Sequence, residues 1–261
     1  MHTSPLLNRC VFLIAWMLAP SAAILPAIAQ EASPNPTATE VVQRAAEKAG
    51  SKDAFSKIKT IVLRGTFSIP QAKRTGTILT QYAAPDRARV TIDLGQVGKI
   101  DQGITPTAAW EISPSTGQRI LGKDEAKRLL ESISMRTAFE PEKVYDWMSN
   151  QGLQTIDGQA CYHLQMKRST EKDPDNIFYS VASGLPVKTI TSRSTPNGSA
   201  RIDSQVSDYK EFDGIKIATK ITQVVQSLGT TYEIRIQSMK INSAIADSVF
   251  EAPKSVQVQS R

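Results

Sequence analysis

The chain has 261 residues, of which 31 are lysine or arginine and 25 are aspartate or glutamate, giving a net charge of +6. A chain of this length can bury a sizeable core, and single β-rich domains often reach it. The basic residues stand in ones and twos between apolar neighbours, as on the solvated face of strands. This pattern argues against nucleic-acid binding. Weak attraction to an anionic membrane surface, as a peripheral contact, stays open.

The N-terminal stretch has the pattern of a secretory signal peptide. Arg9 is its one charged side chain, residues 10–18 are continuously apolar, and Pro20 and Pro26 break the run before Ala-Ile-Ala at residues 27–29. A membrane-spanning helix needs about 20 apolar residues, so this run is too short for one. We therefore predict a signal peptide over residues 1–29 and a periplasmic or secreted protein, with an uncleaved anchor as the alternative.

Residues 30–261 are expected to form a single domain, with flexible ends at 30–36 and 254–261. Cys161 is the only cysteine that remains after cleavage, because Cys10 lies in the signal peptide. The exported protein therefore has no internal disulfide and depends on its core for stability. Cys161 is predicted to be a small buried hydrophobe in a strand. Cys10 stands at the start of the apolar run, so the pattern of a bacterial lipoprotein is absent.

A helix is predicted to follow. Thr37 and Glu40 form a capping box, in which hydroxyl and carboxylate satisfy free N–H groups at a helix start. Gly50 ends the helix, and residues 51–58 favour a second short helical turn. One apolar stripe marks the side that packs on a sheet; its members are Val41, Val42, Ala45, Ala46 and Ala49.

Alternating apolar and polar residues predict strands both before and after the middle of the chain. Asp157-Gly158, Asn197-Gly198 and Asp213-Gly214 are strong hairpin signals, because tight turns need positive φ angles. These turns predict an antiparallel meander. The strands are expected near residues 59–69, 78–82, 87–94, 97–100, 107–112, 119–121, 153–156, 159–167, 176–181, 187–192, 200–209, 215–225 and 230–241.

Two amphipathic helices are predicted over residues 123–150. The first has apolar residues at helical spacing, and the second is expected to begin at Pro141, a favoured first helical residue. Both must lay their apolar stripes on the dry face of the sheet. The stripe residues are Ala126, Leu129, Leu130 and Ile133 in the first helix and Val144, Trp147 and Met148 in the second.

The sequence offers no catalytic constellation. Ser-x-x-Lys occurs at residues 169–172, in a polar loop, and at 207–210, in a strand where residues three apart face opposite ways. His163 is the only histidine of the mature chain, which excludes a histidine-based metal cluster, and it is expected on a strand surface. Residues 173–176 have too few ligands for calcium. We therefore predict no enzyme, no cofactor and no metal.

Several motifs in fixed order carry a family resemblance: Ile58-x-x-Ile61, Ala84-Pro85-Asp86, Trp110, Ile156-Asp157-Gly158, Ser183-Gly184-Leu185-Pro186, Asp208-Tyr209, Asp213-Gly214, and Asn242 with Val249-Phe250-x-x-Pro253. Over nearly all of its mature length the chain resembles the LolA-like family, periplasmic outer-membrane lipoprotein-sorting proteins and their relatives. The resemblance implies a mainly β (α+β) fold. In it, a curved antiparallel sheet of about eleven strands forms an incomplete barrel, with the N-terminal helix and the two mid-chain helices covering its concave face.

The resemblance also implies non-catalytic binding of a lipid or lipoprotein acyl chain between sheet and helices. The alternative is a lipid-sensing or protein-interaction module of the periplasm, with an envelope protein as partner and no cargo. The predicted cavity residues lie on apolar faces, where an ordinary core role is the competing interpretation. They are Leu63, Phe67, Tyr82, Ile92, Trp110, Leu130, Trp147, Tyr162 and Leu164.

The export prediction is tested by N-terminal sequencing of the protein recovered from the cell envelope. We expect the mature chain to begin at Gln30, since signal peptidases cleave after small-x-small triplets. An intact Met1 on a membrane-bound protein would contradict the prediction.

Overall fold

The computed structural model describes residues 35–195 and 198–257. The predicted signal peptide, and Asn197 of the predicted Asn197-Gly198 turn, lie outside these residues. Among the helices of the described residues, none is both long and apolar enough to cross a membrane.

Two runs of strands are separated by one helical segment, in the order expected for a sheet protein interrupted once by helices. The helices are α1 (Ala38–Ala49), α2 (Lys52–Ser56), α3 (Lys123–Ile133), α4 (Arg136–Phe139) and α5 (Lys254–Gln257). The strands are β1 (Thr60–Ile69), β2 (Arg74–Ala83), β3 (Arg87–Asp93), β4 (Lys99–Ile104), β5 (Ala109–Ser113), β6 (Gly117–Ile120), β7 (Trp147–Ile156), β8 (Gln159–Lys167), β9 (Asp175–Ser180), β10 (Pro186–Thr195), β11 (Gly198–Phe212), β12 (Ile215–Val225) and β13 (Thr230–Ile241).

All thirteen strands form one antiparallel sheet in the order β6-β5-β4-β3-β2-β1-β13-β12-β11-β10-β9-β8-β7. Each strand pairs with its neighbours in sequence, except that β1 pairs with β13 and so joins the two halves of the chain. The outer strands β6 and β7 do not pair, so the sheet stays open. The predicted mainly β, incompletely closed sheet is confirmed, with thirteen strands rather than about eleven.

Two predicted hairpin turns are confirmed by their backbone angles. Asp157 and Gly158 have φ of 47° and 80° between β7 and β8, and Asp213 and Gly214 have φ of 48° and 79° between β11 and β12. Positive φ at both central residues gives the twist that matches the flanking strands. These turns therefore fix the register of the two hairpins.

Helix α1 begins as predicted. The Thr37 hydroxyl accepts from the Glu40 amide at 3.2 Å, and Glu40 Oε2 accepts from the Thr37 amide at 2.7 Å. Its buried stripe packs on β8 and β9, where Leu164 and Met166 are fully buried. A second apolar cluster under α3 includes Ile133, with Leu129 and Leu130 packed against it. Both helices therefore cover the same face of the sheet, which we call the helix face.

The prediction of a second mid-chain helix is wrong. Pro141–Lys143 forms only a short 3-10 turn, and Trp147 begins strand β7. Its neighbour Met148 lies opposite Met166 of β8. Pairing with β8 satisfies the backbone groups of this segment, and it overrides a local apolar spacing that also fits a helix. Val144 nevertheless packs into the cluster with α1, as its apolar character requires.

The C-terminal segment covers part of the other face of the sheet. Ala88 faces the apolar cluster of the helix face, so its neighbour Arg89 points to the opposite face. Gly103 lies opposite both Arg89 and Trp110 in register, and the Arg89 guanidinium stands 5.3 Å from the Trp110 ring centroid. Residues 247–257 pack over this region with Phe250 and Val256 buried. Trp110 therefore lies on the face opposite the helices.

A buried ionic cluster ties α3 to the sheet beside β8 and β9. Arg168 donates to Asp175 Oδ2 at 2.9 Å, to the Tyr145 hydroxyl at 2.9 Å, and to Glu131 of α3. Arg193 donates to the other Asp175 oxygen at 2.6 Å. Burial raises the pKa of Tyr145, and the charge of Asp175 adds to this effect. The tyrosine therefore stays neutral and serves as a hydrogen-bond partner.

Replacing Arg168 by methionine leaves Glu131 and Asp175 without their shared cation in a buried site. We expect Arg168→Met to lower the free energy of unfolding by about 3–5 kcal/mol, as removal of one partner of a buried ion pair does. Urea unfolding followed by tryptophan fluorescence measures this change.

The matched control is Arg201→Met, because Arg201 forms a 3.3 Å pair with Asp203 while half exposed. It should cost no more than about 1 kcal/mol. Equal losses for the two variants would show that the buried cluster adds nothing beyond a surface pair.

Candidate functional site

Two neighbouring cavities lie between α1, the segment around α4, and the sheet. The first has a volume of about 190 Å³ and the second of about 490 Å³. The larger falls within the range of about 300–1,000 Å³ that small-molecule sites occupy. Val42, Ala138 and Phe139 line both, so the two spaces adjoin along one wall. Together they form the candidate site.

The first cavity is lined almost entirely by apolar groups. Lys216 is the one charged residue among its described lining residues. The others are Val42, Ala45, Ala49, Met135, Ala138, Phe139, Tyr179, Leu185, Pro186, Tyr209, Ile217 and Ala218. A space of this composition favours an apolar ligand or part of one.

The second cavity has a more polar rim. Lys52 of α2 and Glu142 of the 3-10 turn form an exposed ion pair of 3.9 Å at its edge. Thr39, Gln43 and Glu47 contribute the polar side of α1. The rim is thus suited to polar groups in water, and the interior to hydrocarbon.

Short side chains on α1 leave the space that the cavities occupy. Ala45 and Ala49 face the first cavity and Ala46 the second, where leucine at the same positions would fill much of the volume. Gly50 ends the helix against the β11–β12 turn, and a Cβ there would lie 2.9 Å from the Gly214 carbonyl oxygen. Glycine therefore allows the close approach that sets α1 over this part of the sheet.

Aromatic residues fix the other walls. Phe139 of α4 stacks on Phe55 of α2 with ring centroids 4.7 Å apart, which positions the short helix over the cavities. The Tyr209 hydroxyl donates to the Pro186 carbonyl at 2.7 Å. Burial raises the pKa of both Tyr179 and Tyr209, so these walls carry no phenolate charge at neutral pH.

The nine residues predicted for the cavity are distributed over several parts of the fold. Leu63, Tyr82 and Leu130 pack in the cluster beneath α3, and Tyr162 and Leu164 in the cluster beneath α1. Among the described residues that line the two cavities, none belongs to the predicted nine. Whether these five contact a ligand stays a prediction.

The remaining four lie in other parts of the sheet and line neither cavity. Phe67 packs against Tyr232, with ring centroids 5.5 Å apart, and Ile92 is half-buried opposite Ile78. Trp110 lies on the face opposite the helices, and Trp147 is 44% exposed on the edge strand β7. The expected placement of these two tryptophans, facing the helix side of the sheet, is corrected accordingly.

His163 and Cys161 both lie in strand β8 and contact other residues of the sheet. His163 stacks on Phe178 with centroids 4.6 Å apart, and its ring nitrogens lie 3.0 Å from Gln154 Nε2 and 2.8 Å from Asn176 Oδ1. Cys161 is fully buried, as predicted. Among the described residues, no group of three or more histidine, cysteine or acidic side chains is placed to hold a metal ion.

An open antiparallel sheet with helices on one face is the layout of the LolA-like fold, and solved structures share it. A DUF1329 family protein from Desulfovibrio piger aligns with a TM-score of 0.57 at 14% identity, covering 84% of this chain and 98% of its own. A LolA superfamily protein from Nitrosomonas europaea aligns with a TM-score of 0.57 at 15% identity, covering 83% and 98%. No family model and no curated protein matches the sequence. The resemblance to LolA-like proteins is thus confirmed for the fold.

Truncating the two tryptophans separately tests their placement. Trp110→Ala should lower the free energy of unfolding by about 3–5 kcal/mol, because it opens a cavity in a fully buried site. Trp147→Ala should cost about 1 kcal/mol, because its side chain is partly in water at the sheet edge. Urea titrations of both variants give the comparison, and similar losses would contradict the exposed position of Trp147.

Proposed function

We propose that this protein binds a hydrophobic ligand, a lipid or a lipoprotein acyl chain, without catalysis in the bacterial cell envelope. The observation that carries the proposal is the pair of adjoining cavities between α1, α4 and the sheet, lined inside by apolar side chains. An outer-membrane lipoprotein-sorting role is the finer form of the proposal. The predicted signal peptide supports the location, and the name of the LolA superfamily neighbour accords with it.

Burial of hydrocarbon supplies the binding energy in this proposal. Each methylene transferred from water into the cavity contributes about 0.8 kcal/mol. Loss of ligand freedom and ordering of side chains offset part of this gain. Because the polar rim lies at the second cavity, the acyl chain occupies the apolar interior and its polar end faces Lys52 and Glu142.

A protein-interaction module without cargo is the second candidate, and one observation favours it. The edge strand β7 presents Trp147 and Leu153 to solvent, 44% and 59% exposed. A strand with a free outer edge and exposed apolar side chains can pair with a strand of another protein. Native mass spectrometry of protein purified from its own envelope separates the two candidates, since only the first expects co-purified lipid.

Filling the cavities tests the first candidate directly. Ala138 is exposed on α4 yet lines both cavities, so Ala138→Trp places a large ring in the space without disturbing the buried core. We expect the affinity for a fluorescent fatty-acid probe to fall at least tenfold, as loss of about two buried methylenes does.

The control is Ala72→Trp, an exposed alanine in the turn between β1 and β2, away from the cavity lining. It should bind the probe as the wild type does. A wild-type protein that binds no probe and carries no lipid would end the proposal, and undiminished binding by Ala138→Trp would move the site elsewhere.

A further inference from the structure

The face of the sheet opposite the helices carries a row of cations on its central strands. Leu63 packs in the apolar cluster of the helix face, so the next residue, Arg64, points to the other face. Strand register places Arg235 and Lys240 of β13 on that same face, and Lys220 of β12 beside them. We call these four residues, Arg64, Lys220, Arg235 and Lys240, the basic face.

The cations of the basic face lack ion-pair partners among the residues that the structure describes. None of its four cations forms an ion pair with an acidic group of the described residues, whereas Arg87 and Arg89 on β3 are paired with Asp247 and Asp101. Arg64, Arg235 and Lys240 are exposed. Glu233 is the acidic residue of β13 that shares this face, and it balances one charge of the four.

Two of these cations oppose each other directly. Lys220 and Arg235 are register partners on adjacent strands, where like charges destabilise a sheet. A neutral polar residue would serve equally well on a solvated strand face, and threonine does so at the neighbouring positions Thr222 and Thr66. The arrangement therefore has a cost in the isolated protein that an anionic partner would remove.

The side chains between the cations decide which anionic partner fits. The neighbouring positions on this face include Thr66, Thr222 and Ser238. Val62 and Val224 are aliphatic residues at outward positions of β1 and β12, and no aromatic residue stands at the outward positions of β1, β12 and β13. Protein interfaces depend on buried aromatic and apolar anchors. A layer of lipid phosphates requires only clustered lysine and arginine. We propose that the basic face binds the surface of an anionic phospholipid membrane.

This inference goes beyond ligand binding in the cavities, which lie on the other side of the sheet. Docked by its basic face, the protein would keep α1, α4 and the cavity rim turned away from the lipid headgroups. Attraction between surface charges weakens with added salt, so the contact is reversible.

Vesicle sedimentation tests the proposal with the purified protein. Wild type should bind vesicles of phosphatidylcholine with phosphatidylglycerol at low salt, and bind neither phosphatidylcholine alone nor the anionic vesicles at high salt. The triple variant Arg64→Gln, Lys220→Gln, Arg235→Gln should lose roughly fivefold in partition coefficient for each cation removed. Its melting temperature should not fall, because the opposed pair is gone.

The control removes the same net charge away from the basic face, with Lys48→Gln on α1, Lys123→Gln and Lys172→Gln at exposed positions. It should retain most of the vesicle binding. The cavity variant Ala138→Trp should bind vesicles as the wild type does, so that this proposal and the proposed function fail independently.

Two results would overturn the inference. Equal loss in the triple variant and its charge-matched control would mean that net charge alone attracts the protein. Absence of wild-type binding to anionic vesicles at low salt would exclude the membrane and leave an acidic protein as the partner of the basic face.

Discussion

The pairing of β1 with β13 is the constraint on which the architecture depends. It joins residues near opposite ends of the domain, and it converts two separate meanders into one sheet. Asn242 secures the junction, because its side chain accepts from the Lys59 amide at 2.7 Å and donates to the Lys57 carbonyl at 3.1 Å. The entropy of closing so long a loop is offset by the β1–β13 ladder of backbone hydrogen bonds, which has one register shift, and by the apolar contacts of Ile61 and Met239.

Because the two ends of the domain join in the middle of the sheet, β6 and β7 lie at its two edges, and each pairs with a strand on one side only. The mid-chain segment must cross between them, and it does so as α3, α4 and a 3-10 turn. Arg168 fixes the position of this crossing, since it holds Glu131 of α3 against Asp175 at the start of β9. With α3 tied down by buried charges, α4 is the element that roofs the cavities, held by the stacking of Phe139 on Phe55.

Much of this fold could be predicted from local signals in the sequence. Asp157-Gly158 and Asp213-Gly214 fix their turns through backbone angles alone, and the Thr37–Glu40 box needs only its own helix. The residues near Trp147 could not be assigned from local signals, because their apolar spacing fits both a helix and a strand. Pairing with β8 makes this segment a strand.

The faces of the sheet were harder to assign. Alternation places Ala109 and Trp110 on opposite faces, but it does not say which one meets the helices. Trp110, the larger residue, was expected on the helix face. Instead Ala109 packs in the helix-face cluster, and residues 247–257 cover Trp110 on the other face. The cavities were missed for a related reason. They arise where α1 has alanines. In the sequence, an alanine looks like any other member of an apolar stripe, so the space that its short side chain leaves is not visible there.

The cavities have an energetic consequence for an unliganded protein. The 190 Å³ cavity leaves apolar side chains without packing partners in the unliganded protein, and every missing contact loses dispersion energy. Because domains have only about 5–15 kcal/mol of stability in total, such losses matter. Larger residues at Ala45 or Ala49 would restore part of that packing without any change in the helix stripe. A ligand that occupies the space recovers it as well, and it then stabilises the folded protein by an amount that grows with its concentration. The alanines of α1 thus leave the space that the ligand of the proposed function would fill.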